Sequence, residues 1–70
     1  MTRDELKPGL VFCTNYTSTL YVVLGTEIDG FHLMVKLLVL PSDGNLPFEI
    51  SKSTYDMALH LLTALGGVDG

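Results

Sequence analysis

Basic residues are scarce in this 70-residue chain: Arg3, Lys7, Lys36 and Lys52 are the four, and they are scattered. Binding nucleic acid by phosphate neutralisation needs clustered Lys and Arg, so that class is disfavoured. Eight acidic residues bring the net charge to −4. They are spread too thinly for a surface that mimics nucleic acid. Cysteine is nearly absent, and Cys13 alone closes no internal disulfide, which fits a reducing compartment. No basic segment leads into an apolar one at the start of the sequence, as a secretory leader would. Long hydrophobic runs are missing too: the longest, residues 33–40, is interrupted by Lys36 and falls well short of the ~20 residues that span a bilayer. A cytoplasmic protein without membrane contact is expected, and Asn15-Tyr16-Thr17 then matches a glycosylation sequon by chance.

The residues of reaction chemistry are equally few. Cys13, His32 and His60 are the candidates for a nucleophile and base, and they stand far apart in the sequence. Cys13 sits mid-strand in an alternating pattern, where a small buried hydrophobe is expected. Metal centres need three or four converging ligands at recognisable spacing, and two distant histidines supply none. Asp43-Gly44-Asn45 matches a fragment of a calcium loop but lacks the later glutamate. Single, separated glycines form no phosphate cradle. No catalytic residue, metal or cofactor is therefore expected.

What the chain does have is apolar surface: 47% of residues are hydrophobic and 17% charged, against about 25% charged on average. A folded chain of this length should expose roughly 4,300 Å² and bury about 60% of its extended surface. At about 25 cal/mol per Å², burial then contributes ~100 kcal/mol, against ~105 kcal/mol for ordering the chain. With so narrow a balance, and neither disulfide nor metal, a partner subunit is the remaining source of stability.

Residues 1–5 read as a flexible start, and Lys7-Pro8-Gly9 as a turn. A first strand follows from Leu10, with Leu10, Phe12, Thr14 and Tyr16 on one face. The second covers residues 20–28 and alternates without a break. Asp29-Gly30 between alternating apolar residues is a strong hairpin signal, and it sets an expected register with Ile28 near Phe31 and Leu24 near Val35. The third strand runs to Leu40 with Phe31, Leu33, Val35, Leu37 and Val39 toward the core. Its other face turns apolar at Leu38 and Leu40, where an exposed sheet face would be polar. After the turn at residues 42–45 a short strand, residues 46–51, places Leu46, Phe48 and Ile50 inward. Ser53 reads as a helix N-cap. Tyr55, Ala58, Leu59, Leu62 and Leu65 share a stripe at helical spacing, which predicts a C-terminal helix over 54–65 closed by Gly66 or Gly67, with residues 66–70 as a tail.

The entry Leu6-Lys7-Pro8-Gly9-Leu10-Val11-Phe12, followed by Tyr21-Val22-Val23-Leu24 and the Asp29-Gly30 hairpin, resembles the opening of SH3-like small β-barrels. The resemblance covers residues 6–51 and implies a fold only. It lacks the basic loops of nucleic-acid-binding members. The expected architecture is a single, mainly β domain: a four-stranded antiparallel SH3-like sheet or small barrel over 10–51, then one helix.

The expected function is a small non-catalytic protein–protein interaction module, of the kind found among phage or mobile-element accessory proteins that bind and modulate a host protein. A homo-oligomeric structural subunit is the alternative, and a nucleic-acid-associated barrel the third reading. Met34, Leu38, Leu40, Met57 and Leu61 are the expected partner-binding residues, forming a homodimer or receiving another protein. Asn15, Tyr16 and Thr17, between two strands, are the expected recognition loop.

Overall fold

In the computed structural model, which describes residues 1–14 and 18–66, five antiparallel strands lie in one open sheet of order β4-β3-β2-β1-β5. The strands are β1 Val11–Thr14, β2 Leu20–Asp29, β3 His32–Leu40, β4 Phe48–Ser53 and β5 Leu62–Gly66. The protein is mainly β, with five strands where four were expected. Among the described residues there is no α-helix, only 3₁₀ turns at Arg3–Glu5 and Leu59–Leu61.

Pro8 and Gly9 turn the chain into β1. The Leu10 N–H donates to the Lys7 carbonyl at 3.1 Å, and Gly9 has the positive φ of 93° that the third residue of a type II turn requires. Gly9 and Leu10 then bond the two backbone groups of Val23. This fixes β1 against β2, where Phe12 faces Tyr21.

The β2–β3 hairpin turns one residue later than expected. Asp29 pairs with His32 and Ile28 with Leu33, so Gly30 and Phe31 are the turn residues. Gly30 carries a φ of 62°, the left-handed value that a two-residue turn with glycine first demands. A turn centred on Asp29-Gly30 of the type that signal suggests would have forced Asp29 to positive φ as well. Phe31 consequently leaves the core and is fully exposed.

A second departure lies in β2, where Val23 pairs with Leu37 and Gly25 with Lys36, leaving Leu24 as the extra residue of a β-bulge. The bulge reverses the alternation. Tyr21 and Val23 face the core before it, and Thr26 and Ile28 share that side after it, opposite Val35 and Leu33.

The predicted helix over 54–65 is corrected to a turn, a 3₁₀ turn and a strand. Ser53 does cap locally, its Oγ accepting from the Tyr55 N–H at 3.1 Å, and one turn follows as Asp56 N–H donates to Ser53 and Met57 N–H to Thr54. The chain then extends so that β5 pairs with β1, Phe12 opposite Ala64 and Thr14 opposite Leu62. A lone helix of that length is marginal in water, and it would leave the β1 edge without ladder partners.

The core consists of Leu6, Phe12, Val23, Val35, Leu37 and Val39, all from the inner sheet face except Leu6. Met57, Leu59 and Leu62 close over it. Leu46, expected inward, is 85% exposed, because the strand that should have carried it begins only at Phe48. The chain exposes 4706 Å² in all, above the roughly 4,300 Å² of a typical chain this size.

Candidate functional site

Residues in register across antiparallel strands share a face, and successive residues alternate. Since Phe12, Val23 and Leu37 point into the core, their neighbours point away from it. Two transverse rows result on the outer face: Val11, Val22 and Leu38 in one, Cys13, Leu20 and Leu40 in the other. All six are half-buried. Glu49 continues the first row on β4. Of the expected partner-binding residues, Leu38 and Leu40 belong to these rows, and Met34 lies on the same face of β3, opposite Ser53.

Met57 and Leu61 lie on the other side of the sheet. Met57 packs against the core cluster, and both line a cleft of about 170 Å³ between the inner face and residues 56–62. The five residues therefore form two surfaces, separated by the sheet. Their expected union rested on an exposed helix stripe that does not form. The floor of the cleft is Phe12, Tyr21, Leu37 and Ile50, with Lys52 and Asp56 supplying its charged groups. Asn15, Tyr16 and Thr17 lie outside the described residues.

Two features escaped the sequence reading. Val11, Leu20 and Val22 complete the outer rows. Their signal was present in 20–23, where both alternating faces of β2 are apolar. The hairpin end was read as core, yet Ile28 is 78% exposed and Phe31 fully so.

Cys13 and His32 stay apart, and His60 lies in the 3₁₀ turn before β5. Cys13 is on the outer face in register with Leu20 and hence Leu40, while His32 stands at the opposite end of β3, about 26 Å along a strand rising ~3.3 Å per residue. The His32 ring instead meets Tyr55 edge-on, centroids 6.5 Å apart. No group of three or more His, Cys, Asp and Glu able to hold a metal occurs among the described residues. Lys36 and Lys52 project from opposite faces, in register with Ser51 and Val35. No helix among the described residues is long and apolar enough to cross a membrane. Among the described residues one titration is perturbed: Glu5 is held below the ordinary glutamate value by hydrogen bonds from the Thr2 backbone and hydroxyl.

Comparison with protein-family models, with curated proteins and with solved structures gave no match.

Proposed function

We propose that this chain is a small non-catalytic protein–protein interaction module that docks a partner on the outer face of β1, β2 and β3. The observation carrying the reading is the pair of apolar rows centred on Val22 and Leu20. Aliphatic side chains facing water in two adjacent rows make a contiguous patch, and such patches mark interaction surfaces on small soluble domains. Covering them contributes about 25 cal/mol for each Å² removed from water.

The architecture is that of an SH3-like small barrel on this reading. Its support is the meander whose last strand returns to the first, with register shifts at Leu24 and between Val11 and Phe12, since bulges increase twist and curl a sheet. The setting proposed is the cytoplasm, with an accessory role toward a host protein of the kind phages and mobile elements use. A homo-oligomeric subunit is the second reading, favoured by a core of six buried hydrophobic side chains among the described residues.

Leu38→Asp tests the assignment, with Glu49→Ala beside it as control. The expected result is an unchanged melting temperature and weaker binding of an apolar fluorescent dye for Leu38→Asp, and no change for Glu49→Ala. A dimer that Leu38→Asp alone dissolves selects the homo-oligomeric reading. Loss of the fold in a monomeric Leu38→Asp chain would show that the outer face is internal packing and would end both readings.

A further inference from the structure

From the exposed hairpin tip and the open cleft on the same chain, we infer that the tip of one copy seats Phe31 in the inner-face cleft of a second copy. This contact uses neither outer row, so it stands or falls separately from partner docking on that face.

Size, reach and charge support it. A closed apolar cavity of roughly 150 Å³ is known to take up benzene; the cleft is partly open and offers about 170 Å³ over Phe12, Tyr21, Leu37 and Ile50, with Thr14, Lys52 and Asp56 as its polar lining. A phenyl ring matches it in volume, with its polar rim left to the edge of the contact. Phe31 is fully exposed and Ile28 78% exposed beside it, an apolar pair held out by a tight turn. The chain's own tip cannot fill its own cleft: Phe31 is six residues along β3 from Leu37 on the cleft floor, about 20 Å at ~3.3 Å per residue, on one continuous hairpin. A Phe31 ring in the cleft must therefore come from another molecule. Glu27 and Asp29 flank the tip and Lys52 stands at the cleft, so opposite charges meet as the ring enters, with Asp56 the one opposing group. The same two carboxylates oppose insertion into an anionic membrane. A reciprocal exchange about a two-fold axis satisfies both tips and both clefts and closes the assembly without leaving an open chain of contacts.

Dilution series of isotopically labelled protein, followed by amide NMR and light scattering, test the contact. The expected result is concentration-dependent shifts at residues 27–32 together with Lys52, Met57 and Leu61. Phe31→Ser should weaken self-association about thirtyfold, as loss of an anchoring aromatic does, without changing the melting temperature. Lys52→Glu should also weaken it, and adding Glu27→Lys should restore it. Mixing Phe31→Ser with Lys52→Glu should regain one of the two contacts, since the first keeps its cleft and the second its tip. Shifts confined to the outer rows, self-association unaffected by Phe31→Ser, or a monomer at high micromolar concentration would overturn the assignment. So would Phe31-dependent co-sedimentation of a monomer with anionic lipid vesicles, which would give the tip to a membrane.

Discussion

Phe12 on β1 and Tyr21 on β2 stack with ring centroids 5.2 Å apart and planes 12° from parallel. Phe12 is buried while Tyr21 is half-buried and faces the cleft. The pair thus belongs to the core and to the cleft floor at once, which ties stability to the shape of the site.

Phe12→Ala should cost about 3–5 kcal/mol, a large share of what a domain of this size possesses. Phe12→Leu is the usable variant, and part of its cost should depend on Tyr21. A double-mutant cycle with Tyr21→Leu, read by urea unfolding, should give a coupling of about 0.5–1.5 kcal/mol. A coupling of zero would mean that the stack adds nothing beyond burial.

Gly30→Ala should destabilise the hairpin by ~1–2 kcal/mol, because the left-handed φ there brings a β-carbon against the following carbonyl while nothing else lies within 4 Å of it. The loss should appear in the urea midpoint with an unchanged slope. An equal midpoint would show that the turn has relaxed to another type.

These two sites also mark how far the sequence could be read. Strand content, the hairpin and the inward set Val35, Leu37, Val39 and Ile50 were legible because alternation is a direct consequence of the pleat, whereas in β1 the expected buried residue was Cys13 and it is Phe12 on the other face that enters the core. The bulge at Leu24 was not, since an extra residue in a run of alternating apolar residues leaves both faces plausible. Nor was β5. Leu59, Leu62 and Leu65 satisfy a helical period, and only the unpaired edge of β1, a tertiary fact, decides for a strand. The site was half legible: Leu38 and Leu40 betrayed an apolar outer face, whereas the cleft exists only because the presumed helix is a turn.

Glu5 gives a pH dependence of known sign. Its folded pKa lies below the ordinary value because the Thr2 N–H and hydroxyl donate to Oε1 at 3.0 and 3.1 Å. The stabilisation is therefore present above the unfolded glutamate pKa and is lost as pH falls through the folded one. Wild type should melt higher than Glu5→Gln near neutral pH, and the gap should close in the acid range. A gap constant across that range would remove Glu5 from the cause.

Cys13 reports on the outer face directly. Its side chain is half-buried in the row with Leu20 and Leu40, so in the isolated chain a thiol reagent should reach it without unfolding. A cysteine on the inner face cannot be reached that way: Val23→Cys, placed in a Cys13→Ser background at a position 1% exposed, should react only through global opening and at a rate set by stability. Low urea should therefore accelerate labelling of the Val23→Cys chain steeply and leave Cys13 almost unchanged. Occupation of the outer face should then slow Cys13, and Leu38→Asp should abolish that protection. If Cys13 labelling instead follows urea as the buried control does, the outer rows are covered within the folded chain, and a docking surface there is ruled out.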